Sequence, residues 1–167
     1  CITTDLDQTP GAPFWSENSS GVYFNVREFG QSNVYYANLS GQISKVSQGN
    51  HMLTMNDLVG NNAVATWTNP SNPSDIVSFS VKKFNKIDRL TDVNNDIFYN
   101  VEFGKVEEIN YKSADGKIVQ GWVVKPPQFD SMKKYPLVLR IHGGPHSMYN
   151  VGFNYNFQLH AAQDQVV

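Results

Sequence analysis

Over the first hundred residues the sequence advances in short runs of aromatic and β-branched residues, with glycine, asparagine, serine or proline between them. Val22-Tyr23-Phe24-Asn25-Val26 follows Ser19-Ser20-Gly21; residues 33–39 lead into Ser40-Gly41, and residues 42–46 come next. Residues 52–55, 63–67, 75–81 and 87–91 continue the series. Such runs suit a pleated surface and are too short for ordinary helices, so the spacing predicts antiparallel β-structure up to about residue 103. No helical period of comparable length competes with it.

The runs fall into two sets. One starts at Pro13-Phe14-Trp15-Ser16 and the other near Met52, with its last two strands at residues 76–81 and 87–91. Four strands per unit of about forty residues is the blade period of a β-propeller, and a small β-sandwich is the alternative. Two blades do not close a propeller, for which at least about four are typical. Trp15, Trp67 and Trp122 read as core of the blades and of the hairpin that follows.

After Gly104 the character changes. Residues 106–112 and 117–124 flank Ser113-Ala114-Asp115-Gly116, and Asp-Gly between two alternating runs signals a hairpin. Pro126-Pro127 breaks the chain. Residues 137–141 are apolar apart from Arg140, as expected of a strand buried on both faces of a mostly parallel sheet. Phe153, Phe157 and Ala161 fall four apart, on one face of an expected helix, and Gln165-Val166-Val167 resembles the start of another strand. Strand, glycine turn, helix and strand make a βαβ unit. The expected class is therefore mixed, with antiparallel β-structure over residues 1–103 followed by an α/β segment over residues 104–167.

Several function classes are excluded or left without support. A formal net charge of −2 gives no electrostatic case for nucleic acid or an anionic membrane, and no apolar stretch approaches the length of a membrane-spanning helix. Cys1 is the single cysteine of the 167 residues, which removes an internal disulfide and any cysteine-based metal cluster. Residues 1–5 lack the basic and apolar regions of a signal peptide, and the missing initiator Met suggests that Cys1 is not a natural start. Asn18-Ser19-Ser20 and Asn38-Leu39-Ser40 match a glycosylation sequon, a tripeptide common by chance. Phosphate-binding and dinucleotide fingerprints are absent, as is any Gly-x-Ser-x-Gly elbow.

The chemistry-bearing motif is Tyr135-Pro136-Leu137-Val138-Leu139-Arg140-Ile141-His142-Gly143-Gly144-Pro145-His146, an apolar run driving into a His-Gly-Gly-Pro turn. A turn of this type after a sheet strand supplies part of the oxyanion hole in α/β-hydrolases. Glycine suits that role because, without Cβ, it lets a substrate carbonyl approach the backbone. Pro145 stiffens the turn and has no N–H. The bland reading is a strand-ending turn and nothing more. His142 is not expected to be a triad base, because in α/β-hydrolases the base follows the nucleophile and the acid along the chain. It is expected to hold the turn through its ring nitrogens. His142 and His146 are four apart, but Gly-Gly-Pro between them forbids a regular helix presenting both to a metal. His51 and His160 read as a loop residue and a helix residue.

Pro13-Phe14-Trp15-Ser16, the Asp115-Gly116…Gln120-Gly121-Trp122 hairpin, and Lys134-Tyr135-Pro136…His142-Gly143-Gly144-Pro145-His146…Phe157-Gln158 together resemble the prolyl oligopeptidase family of serine peptidases, in its acylaminoacyl-peptidase and dipeptidyl-peptidase-like branch. The resemblance implies the last blades of a β-propeller followed by the N-terminal part of an α/β-hydrolase domain. It implies a short peptide substrate, no cofactor, the Gly144 N–H as oxyanion donor and Gly143 as the residue shaping the turn. Nucleophile, acid and base are then expected outside these residues, so the chain alone is expected to be inactive. It is also expected to expose an apolar sheet edge and to need a companion chain or to aggregate. The family pattern departs at the end, where His160 replaces an apolar helix residue and Asp164-Gln165 replace a helix-ending glycine and an aromatic. The competing reading is a non-catalytic β-rich binding module with an incidental turn.

Overall fold

The computed structural model describes all residues from Cys1 to Val167. The chain is mainly β and divides into two compact units, Cys1–Asn94 with Asn150–Gly152, and Asn95–Tyr149 with Phe153–Val167.

The first unit contains two antiparallel meanders of four strands each. The first is β1 (Phe14–Trp15), β2 (Gly21–Glu28), β3 (Gln31–Asn38) and β4 (Ile43–Lys45). The second is β5 (Met52–Val59), β6 (Asn62–Asn69), β7 (Asn72–Ser80) and β8 (Asp88–Arg89). They join through one parallel pairing, Ser32 opposite Met52. The expected strands are all present, although the fourth of each set is shorter than its apolar run. Turn chemistry fixes the registers. Phe29-Gly30 closes β2–β3 with both residues at positive φ, the type I′ requirement that matches strand twist. Gly60 alone has positive φ in the β5–β6 turn, and Asn69 Oδ1 accepts the Ser71 N–H at 2.9 Å across the Pro70 turn. Both sequon-like tripeptides serve as turns of this kind. Asn18 Oδ1 accepts from the Ser20 N–H and Oγ, and Asn38 Oδ1 from those of Ser40.

Side chains alternate about the sheets as a period of two demands. Tyr23 and Val34 face Leu53, Met55, Ala63, Ala65, Val77 and Phe79 in the main core. Val22, Phe24, Val26 and Ala37 point the other way, under Ile2 and Leu6, so β2 is buried on both faces. The Asn25 carboxamide acts as a substitute strand between the meanders. Its Nδ2 donates to the Leu53 carbonyl at 2.6 Å and its Oδ1 accepts the Met55 N–H at 2.8 Å, while Ser32 Oγ donates to the same Leu53 carbonyl at 2.7 Å. At the far edge, Asp75 accepts from Arg89, from Thr91 Oγ1 at 2.7 Å and from the Val93 N–H. Burial pushes the Asp75 carboxyl up, but the hydrogen bonds from Thr91, Arg89 and Val93 and the Arg89 charge outweigh it and hold the group below its ordinary range.

One expectation fails in this unit. Trp15 is 63% exposed, on a two-residue edge strand that pairs only with β2. His51 lies in the loop before β5, as expected, and is buried there. It is 6% exposed, its carbonyl accepts the Ser32 N–H at 3.0 Å, and its ring lies where a side chain on Gly49 would stand.

The second unit holds α1 (Asn95–Phe98), the hairpin β9 (Lys105–Lys112) and β10 (Ile118–Lys125), and α2 (Tyr155–Ala161). The hairpin loop is Ala114-Asp115-Gly116, with Gly116 at φ 82° and the Ser113 N–H bonded to the Lys117 carbonyl at 2.9 Å. Helix α2 docks through Gln158, whose carboxamide takes both backbone groups of Gly104, accepting its N–H at 2.7 Å and donating to its carbonyl at 3.1 Å. A Cβ on Gly104 would stand 2.4 Å from the Lys125 carbonyl oxygen and 2.8 Å from Ala161 Cβ, so glycine is required there by contact.

The helix starts later than the apolar spacing indicates. Asn154 caps it, accepting the Phe157 N–H at 3.1 Å, and Phe153 falls outside, clustered with Phe98 and Phe103. At the other end Asp164 takes the left-handed conformation, φ 56°, that the family's glycine adopts most cheaply. The expected buried strand over residues 137–141 is not present. Only Leu137 bridges, in parallel, to Val166, and Leu137, Leu139 and Ile141 are 73%, 76% and 79% exposed. Val166 alone pairs with the run, exchanging hydrogen bonds with Pro136 and Val138, while Val167 bonds Val124 instead, so residues 139–141 have no strand partner. No multi-stranded parallel sheet forms in these residues.

Candidate oxyanion turn

The turn begins where that pairing ends. Val166 fixes its approach, donating to the Pro136 carbonyl at 2.9 Å and accepting the Val138 N–H at 2.8 Å. Residues 142–148 carry no regular structure and are exposed. The Gly144–Pro145 bond is cis, and the Ser147 N–H donates to the Pro145 carbonyl at 3.2 Å.

Neither Gly143 nor Gly144 is at positive φ. A Cβ on Gly143 would meet nothing within 4 Å, and one on Gly144 would meet only the His146 nitrogen, at 3.5 Å. Backbone strain and crowding within the chain therefore do not call for glycine at either position. Neither N–H donates to another group of the chain.

His142 Nδ1 lies 2.7 Å from the Gly143 carbonyl oxygen. A carbonyl oxygen only accepts, so Nδ1 carries the proton and donates. The Gly143 carbonyl and the Gly144 N–H belong to one peptide plane, and in a trans peptide they point in opposite directions. The His142 hydrogen bond thus fixes the plane of the peptide whose N–H is exposed on the other side, and polarises it as a donor. On its flank the His142 ring meets the edge of Tyr149, with centroids 6.0 Å apart. Tyr149 was not singled out by the sequence, where a lone tyrosine in a polar stretch carries no signal. Of the other histidines, His146 is exposed and His160 Nδ1 pairs with Gln165 Oε1 at 2.7 Å. The sequence candidates brought together are the contiguous His142, Gly143 and Gly144.

No protein-family model matches the chain. Individual relatives do. The chain is 31% identical over 157 residues to the uncharacterized peptidase YuxL of Bacillus subtilis, covering 93% of this chain and 24% of that protein. It is 30% identical over 168 residues to dipeptidyl-peptidase 5 of Porphyromonas gingivalis, covering 92% and 23%. Among solved structures it is similar in fold to Pyrococcus horikoshii acylaminoacyl peptidase, with a TM-score of 0.79 at 24% identity over 99% of this chain and 25% of that one. Porphyromonas gingivalis dipeptidyl peptidase 4 gives a TM-score of 0.73 at 20% identity, covering 99% and 24%. The chain spans about a quarter of the length of the curated relatives it matches. Its homologues are peptidases. They bear out the resemblance to the prolyl oligopeptidase family.

Proposed function

We propose that the chain is the part of a serine peptidase in which the last two blades of a β-propeller, residues 1–103, give way to the opening of an α/β-hydrolase domain, residues 104–167. The parent enzyme hydrolyses short peptides, releasing aminoacyl, acylaminoacyl or dipeptidyl units. Its nucleophilic serine attacks the scissile carbonyl, and the Gly144 N–H donates to the oxygen as it becomes an anion. Gly143 shapes the approach, and His142 holds the Gly143–Gly144 peptide plane through Nδ1 without taking the serine proton. Serine, acid and base come from polypeptide outside these 167 residues, in the same chain or a companion.

One observation carries the reading. Two adjacent glycines that their own backbone and neighbours do not require leave an open approach to an N–H that is already oriented. A turn built only to end a strand has no need of that space. The test is to assay the whole polypeptide on aminoacyl and dipeptidyl p-nitroanilides and to map the residue labelled by a fluorophosphonate. Turnover is expected, with the label on a serine outside residues 1–167, and residues 1–167 alone are expected to give none. Absence of both turnover and label from the whole protein contradicts the proposal.

A further inference from the structure

We infer that Tyr149 is a positioning residue for the oxyanion donor, a role that rests on reading Gly144 as that donor. The turn closes on itself through two rings. His142 stands at its entry and Tyr149 at its exit, in edge-to-face contact with an interplanar angle of 79°. Tyr149 meets Phe157 in the same manner, with centroids 5.4 Å apart at 68°. Phe157 is itself fixed, because its N–H is held by the Asn154 cap in the first turn of α2, and that helix is docked by Gln158 on Gly104.

A continuous set of contacts therefore runs from helix α2 through Phe157 and Tyr149 to the His142 ring, and from His142 Nδ1 to the Gly143 carbonyl. The last member shares its peptide plane with the Gly144 N–H. Apart from the Gly143 hydrogen bond and the Tyr149 edge, no hydrogen bond or ring contact holds the His142 ring, which is exposed. Without the Tyr149 edge the ring turns about its side-chain bonds, the Nδ1–H leaves the Gly143 oxygen, and the donor plane is free to rotate. A donor misplaced by about 1 Å costs up to about a hundred-fold in rate, so the ring acts on turnover without touching substrate. Edge contact is what matters, and the phenolic hydroxyl is dispensable.

The experiment uses the whole peptidase with a chromogenic dipeptidyl substrate. Tyr149→Ala is expected to lower kcat about ten- to a hundred-fold while KM stays within about twofold, the split that marks an interaction made in the transition state. Tyr149→Phe keeps the ring and is expected to restore kcat to within about threefold of the parent. Should Tyr149→Ala melt early, Tyr149→Leu, which keeps apolar contact with Phe157 but offers no ring edge to His142, carries the same expected loss. In a Gly144→Pro background, where no N–H remains to be placed, Tyr149→Ala is expected to add nothing. Unchanged kcat in the Ala and Leu variants, equal loss in Tyr149→Phe, or full additivity with Gly144→Pro overturns the assignment. If Gly144→Pro is silent, the donor reading falls and takes this role with it. If Gly144→Pro is inactive while the Tyr149 variants are silent, only the positioning role falls.

Discussion

His51 shows how a single residue can couple stability to pH. Its ring is buried beside Gly49, and Nε2 has no hydrogen-bond partner. Burial, reinforced by the Lys45 charge, holds its pKa below the ordinary imidazole value. The sign follows from linkage. The folded state favours the neutral ring, so the stabilisation is fully present above the ordinary value of about 6.5 and is lost as pH falls below it toward the depressed folded value. The melting temperature is expected to fall on acidification from about pH 7.5 to about pH 5.5, and His51→Leu to flatten that part of the curve. An identical slope in the two proteins would assign the acid sensitivity to another group. Burial of this kind is not legible in the sequence, where His51 sits in Gly49-Asn50-His51 and reads as loop. The left-handed Asp164 is the converse case, since aspartate tolerates that conformation and stands where the family has glycine.

Elements were legible where their partners are close in sequence. The meanders β1–β4 and β5–β8 follow from alternation and turn chemistry, because each strand pairs with the next one or the last. The apolar run at 137–141 misleads, because its pairing depends on residues some thirty positions on, and only Val166 pairs with it. The start of α2 misleads because Asn154 outweighs the apolar spacing of Phe153 and Phe157. The joint between α2 and the hairpin was legible only as a Phe-Gln pair, and its meaning lies in Gly104. Gly104→Ala forces a Cβ against the Lys125 carbonyl and Ala161, and Gln158→Leu leaves both Gly104 backbone groups unpaired. Each is expected to cost about 2–3 kcal/mol in denaturant unfolding. The double variant should lose less than the sum, since both changes break one joint. Full additivity would place the two effects at separate sites.

At the scale of the molecule, the chain covers about a quarter of the length of its peptidase relatives, and under the proposed function it contributes a donor to the reaction while other residues perform it. The candidate site was legible as a motif, since His142-Gly143-Gly144-Pro145 is contiguous and glycine pairs have few uses. The peptide plane set by His142, and the edge-to-face rings behind it, show only in the fold. The proposed function depends on the Gly144 N–H, and the most direct measurement is kcat of the whole peptidase carrying Gly144→Pro, which removes that hydrogen. The predicted result is a loss of about a hundred- to a thousand-fold in kcat with the melting temperature retained. A folded Gly144→Pro enzyme whose kcat stays within about threefold of the parent would contradict it.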